Sequence, residues 1–128
     1  MIEEEVFLHG EVPQNELANY MRNSDALILY SRYETFGCVI IEARASGIPV
    51  IASDIPVMHE LISADNGVLI KPNDAKALAM GLEEFILNEA KFNSERIAMQ
   101  AEEKFSYPVV GKKLNDLYKE ILDKQSTL

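Results

Sequence analysis

Positive charge is scarce in this chain. Its 12 Lys and Arg side chains stand against 21 Asp and Glu, a formal net charge of −9 at pH 7. Such a balance creates no broad attraction to nucleic acid or to anionic lipid, so nucleic acid is not expected as a partner. Any phosphate bound here must be held by local geometry. Cysteine is almost missing as well. Cys38 stands alone, which excludes an internal disulfide and the disulfide-rich secreted class. No apolar run approaches the ~20 residues needed to span a bilayer. The start, Met1-Ile2-Glu3-Glu4-Glu5, is acidic where a signal peptide is basic. A cytoplasmic soluble domain is therefore the expectation. What is present is ordinary for a globular chain: 128 residues, 48% of them hydrophobic, enough for one domain over 1–128 with one core.

Periodicity organises that length. Val6 to His9, closed by Gly10, reads as a strand. Leu17, Ala18 and Met21 recur at helical spacing, and Asn23-Ser24-Asp25 ends that helix with turn-forming side chains. Ala26 to Tyr30 is continuously apolar, which predicts a strand covered on both faces. Ser31 to Gly37 is a loop, Cys38 to Ser46 a helix stopped by Gly47 and Pro49, and Val50 to Ser53 a strand. One or two helical turns follow over Val57 to Ser63, then a turn at Asn66-Gly67 and a strand from Val68 to Ile70. Asp74 is placed to cap a helix that turns Leu78, Leu82, Phe85 and Ile86 inward. A helix over Asn93 to Phe105 and a last amphipathic one over Val110 to Leu122 complete the chain. Leu114, Leu117, Tyr118 and Ile121 are its expected inner face. Strands alternating with helices imply an α/β fold: an open, mostly parallel sheet with flanking helices, core at 5–90 and C-terminal helices at 91–124. Ligands of such sheets sit beyond the carboxyl ends of the strands, and the Ser31 to Gly37 loop lies at such an end.

Chemistry concentrates in Glu34-Thr35-Phe36-Gly37-Cys38-Val39-Ile40-Ile41-Glu42-Ala43. Gly37 lets the backbone turn tightly and approach a ligand. The amides from Gly37 to Val39 are first-turn donors at the positive end of a helix, an anion site that needs no lysine. Glu42 interrupts an apolar run, and a carboxylate there needs partners; two neighbouring hydroxyls of a sugar or ribose would serve. Glu34, eight positions earlier, can face a second set. A plainer reading stands beside this one. Ser31-Arg32-Tyr33-Glu34 fits a capping box, and Glu42 fits a solvated helix residue or a partner of Arg44 or Arg32.

The longer stretch from Glu34 to Ser53 resembles the E-x7-E signature of the family 4 glycosyltransferases, with the pattern E-x-F-G-x-x-x-x-E-A-x-A-x-G-x-P-V-x-A-S. The resemblance covers roughly residues 5 to 90. It implies a partial Rossmann-like C-terminal domain of the GT-B type, which binds a nucleotide diphosphate sugar as donor substrate and transfers the sugar with retention. It further implies that Glu42 holds ribose hydroxyls, that Glu34 approaches the donor sugar as the catalytic-side carboxylate, and that Phe36, Gly37, Cys38 and Val39 contact the diphosphate. Ser31, which opens the loop, joins the donor-binding set. No cofactor and no metal are implied, and His9 and His59 lack partners at ligand spacing. Tyr30 stands where the family usually has proline, and Asp54-Ile55-Pro56-Val57 replaces a glycine pair, so the sugar pocket is expected to differ in shape.

The family's enzymes place their site between two domains. By that comparison this chain begins partway through the second, without its first two strands, their basic pair, or the N-terminal acceptor domain. An isolated chain is then expected to bind weakly and transfer little. The exposed edge of the Ala26 strand invites pairing, with Val6 to His9 moving in beside it or a second copy covering it as a homodimer. The complete enzyme is expected at a membrane surface. Two alternatives stay open: a non-catalytic remnant or partner subunit, and a fragment of a GT-B-like nucleotide-sugar 2-epimerase.

Overall fold

A computed structural model describes residues 5–127. Helix α1 (Gln14–Arg22) precedes β1 (Leu27–Leu29), α2 (Cys38–Ala45) and β2 (Val50–Ser53). A 3-10 turn (Pro56–Glu60) leads to β3 (Gly67–Ile70). Helices α3 (Ala75–Asn88), α4 (Ser94–Phe105) and α5 (Tyr107–Ser126) follow, with a second 3-10 turn (Glu89–Lys91) between α3 and α4. The strands form one parallel sheet in the order β1-β2-β3. Ile28 lies opposite Ile51, and Ile51 opposite Val68. The α/β class and parallel sheet read from the sequence are the ones observed.

Successive strand side chains point to opposite faces. One face carries Leu27, Leu29, Val50, Ala52 and Leu69, and meets Met21 of α1, Ile40 and Ala43 of α2, and Met58 of the 3-10 turn. The other carries Ile51 and Ile70, and meets Phe85, Leu78 and Leu82 of α3. All four residues of β2 are buried, so the core is centred on that strand. Gly67 sets the β2–β3 spacing, because a Cβ there would lie 2.2 Å from the Val50 carbonyl oxygen.

Side chains cap the C-terminus of α1 and the N-termini of α3 and α4. The Asn23 amide donates to the Asn19 carbonyl at 2.8 Å and the Ser24 hydroxyl to that of Tyr20 at 2.7 Å. Asp74 accepts from the Ala77 amide at 3.0 Å, as its position in the sequence predicts. That bond, with help from Lys71, holds its carboxyl below the usual carboxylate range. Asn93 accepts from the Arg96 amide at 2.8 Å and starts α4.

Several expectations are corrected. Val6 to His9 is not a strand; these residues are exposed and have no ladder partner. They do not move in beside β1, whose outer edge stays open among the described residues. Nor is β1 covered on both faces, since Ile28 keeps 51% of its surface exposed. On that face Ala26 and Tyr30 pack against the cluster of Ile51, Ile70 and Phe85, while Ile28 between them stays open. Ile86 points outward while Phe85 is buried, because consecutive helical positions diverge by about 100°. The one or two helical turns expected over Val57 to Ser63 form as the 3-10 segment Pro56–Glu60, starting one residue earlier and ending three earlier. Pro108 sits in the first turn of α5, where its missing N–H costs no helical bond. The apolar stripe of α5 is not an inner face at all. Leu114, Leu117, Tyr118 and Ile121 are exposed, because α5 shares substantial contact with α4 alone.

Candidate functional site

The loop after β1 runs from Tyr30 to Gly37 at the carboxyl edge of the sheet. Tyr30 anchors its start: the hydroxyl donates to the Lys71 carbonyl and accepts from the Asp74 amide at 3.1 Å, tying β1 to the turn that opens α3. Within the loop, the Ser31 hydroxyl donates to Glu34 Oε1 at 3.1 Å. No helix begins there, so the capping-box reading fails: α2 starts seven residues after Ser31. Ser31 and Glu34 are half-buried, whereas Tyr33 and Phe36 project 79% and 49% exposed.

Gly37 makes the junction. It has φ 81 and ψ 51, the left-handed region, and a Cβ there would also press on Ile40 Cδ1 at 3.1 Å. A side chain is disfavoured on both counts. No side chain caps α2. The Ile40 amide returns to the Gly37 carbonyl at 3.0 Å, while the Cys38 and Val39 amides belong to the first turn, which has no intrahelical acceptors. Cys38 is exposed, and Val39 packs on the core. This is an uncapped positive helix end beside an exposed aromatic ring.

Glu42 lies one turn further along α2, on the side of Cys38. It is half-buried and lines a cleft of about 310 Å3 shared with Gln14, Leu17, Ala18, Met21 and Arg22 of α1. It is not tied to Arg44. That guanidinium turns into the protein, donating from Nη1 to the Leu61 carbonyl at 2.9 Å and lying 5.5 Å from the Phe105 ring centre. Its burial pulls the pKa down from the usual arginine value. A second cleft, about 450 Å3, borders the start of the loop, lined by Tyr30, Ser31, Arg32, Asn73, Asp74 and Leu78.

The sequence-derived residues thus fall into two neighbouring groups: the Ser31–Glu34 pair within the loop, and Gly37 to Val39 with Glu42 along α2. Sequence reasoning missed Gln14 and Arg22. They share the face of α1 that turns Ala18 toward Glu42, a 14-18-22 spacing legible as a helical stripe. His59 is also at the carboxyl edge, its Nε2 paired with Asp54 Oδ1 at 2.6 Å. His9 is exposed, with its ring 4.6 Å from that of Tyr20.

The profile of the Glycosyl transferases group 1 family matches residues 1–104. The chain belongs to that family. An uncharacterized glycosyltransferase of Methanocaldococcus jannaschii is 31% identical over 124 residues, covering 89% of this chain and 30% of the relative. Sucrose-phosphate synthase from Thermosynechococcus elongatus superposes with a TM-score of 0.82 at 27% identity, over 94% of this chain and 31% of that one. The Anabaena protein HepE, solved in complex with UDP, gives 0.62 at 26% identity, over 85% of this chain and 29% of that one. The chain therefore spans about 30% of the length of each of these three proteins.

Proposed function

We propose that this chain is the donor-binding part of a retaining glycosyltransferase, with a nucleotide diphosphate sugar as its ligand. One observation carries the reading: an uncapped helix N-terminus opened by left-handed Gly37, with the Glu42 carboxylate one turn along it in an open cleft. The amides from Gly37 to Val39 receive the diphosphate, with Phe36 beside them. Glu42 accepts two ribose hydroxyls in the cleft against α1. Glu34, steadied by Ser31, faces the donor sugar. Family membership supports the assignment, as do the complexes of HepE with UDP and with UDP-glucose.

Transfer itself needs an acceptor site, which the proposal assigns to a second domain of a larger enzyme. That enzyme works in the cytoplasm, seated at a membrane surface. The open edge of β1 is the place where a further strand, from that enzyme or from a second copy, completes the sheet.

Titration of the chain with UDP, GDP and ADP, followed by amide NMR shifts, tests the donor site. Shifts centred on Gly37 to Val39 and Glu42, with affinity reduced about tenfold or more in Glu42→Gln by loss of a charge-assisted hydrogen bond, are expected. Shifts elsewhere, or none at millimolar nucleotide, would sink the assignment.

A further inference from the structure

Arg44 is buried without a counterion. It is only 4% exposed, and no acidic side chain pairs with it among the described residues. Its place in the last turn of α2 sets it at the negative end of the helix, and Nη1 has the Leu61 carbonyl. Nε is buried with no acceptor. One carbonyl and the face of Phe105 compensate a buried cation only in part, and burial lowers its pKa. Arg44 lines a cleft of about 360 Å3, walled by the stretch from His59 to Ser63 and by Gln100, Glu103 and Lys104 of α4.

Asn66 lines the same cleft and is also 4% exposed. The Ser63 amide donates to its Oδ1 at 3.0 Å, which orients the side chain and leaves Nδ2 a donor without an acceptor among the described residues. Lys104 donates to the Glu60 carbonyl at 3.2 Å, which uses one of its three protons. Buried donors left over in this way call for a partner.

We propose that this cleft binds a single phosphate group, as the free ion or as a monoester. Arg44 and Asn66 offer donors from two elements, and a tetrahedral oxyanion presents acceptors in several directions at once. Three basic side chains, Arg44, Lys104 and Lys113, line the cleft against Glu60 and Glu103, a local excess of positive charge in a chain of net charge −9. The two glutamates are exposed. They repel a ligand with further negative charge, such as a diphosphate or an acidic polymer, and can accept from hydroxyls of a monoester. This site is separate from the donor site and does not depend on that reading, since Arg44 lies about 200° around α2 from Glu42.

Titration of the chain with inorganic phosphate at constant ionic strength, followed by amide and arginine Nε–H NMR shifts, tests the site. Shifts are expected from Leu61 to Asn66, from Gln100 to Lys104, and at the Arg44 Nε–H. Glycerol phosphate in a second series separates the sources: tighter binding than inorganic phosphate names a monoester, looser binding the free ion. Arg44→Met keeps an apolar stem and should lower affinity about tenfold or more by loss of charge-assisted hydrogen bonds. Lys104→Met, at an exposed position, should lower it as well, and carries the test if Arg44→Met does not fold. Circular dichroism of each variant establishes that it is folded. No shift at millimolar phosphate overturns the proposal. Shifts confined to Gly37 to Val39 overturn it too, and leave the donor site standing. Unchanged affinity in either folded variant has the same force.

Discussion

A methyl group added at Gly67 and one added at Gly81 meet nominal clashes of the same size, yet their consequences should differ. At Gly67 the Cβ would lie 2.2 Å from the backbone oxygen of Val50, which is fixed in the sheet. At Gly81 it would lie 2.3 Å from Cδ1 of Ile70, the far end of a side chain that can rotate. Gly81 is also inside α3, where alanine gains about 0.5–1 kcal/mol of helix preference. Gly67→Ala should therefore cost on the order of 1–3 kcal/mol by forcing β2 and β3 apart, and Gly81→Ala much less. Urea midpoints of the two variants decide the matter; equal losses would mean that the Ile70 side chain is as immobile as the sheet. The Gly37 position was legible as a loop glycine before a helix. The Gly67 contact was not, because it depends on a strand 17 residues away.

Helices announce their ends in the sequence more clearly than they announce their neighbours. Asp74 was legible as a cap, and its carboxylate accepts from the Ala77 amide. Because this bond and Lys71 lower its pKa in the folded state, the carboxylate stabilises the fold fully above the unfolded value of about 3.9 and loses that contribution as pH falls through the lower folded value. The stability gap between wild type and Asp74→Asn should thus be constant near neutrality and close as the pH drops below about 4. Chemical unfolding at pH 7 and pH 3 measures it; a gap that widens in acid would contradict the linkage. Val6 to His9 and the apolar stripe of α5 depart from their sequence patterns for a shared reason. Apolar spacing shows that a segment can form a face, but not that a partner is present to cover it. A strand also needs a ladder, which no local pattern supplies.

At the scale of the molecule the net charge of −9 works against any anionic ligand. The candidate site has Arg32 in its loop, while Arg44, the next basic residue, is turned into the core. A diphosphate held here relies on amides and a helix end, contacts a few ångströms long, while the opposing field acts over the whole surface. Salt separates the two. The Debye length falls from about 30 Å at 0.01 M to about 8 Å at 0.15 M, so the long-range repulsion is screened while direct hydrogen bonds persist. The dissociation constant for UDP should therefore stay level or tighten as salt rises over this range, measured by calorimetry or NMR titration. A site built on a cationic clamp does the reverse, because screening removes its attraction. Binding that weakens several-fold with salt would show that basic side chains carry the diphosphate, and would move the centre of recognition from the α2 amides toward Arg32 and Arg22.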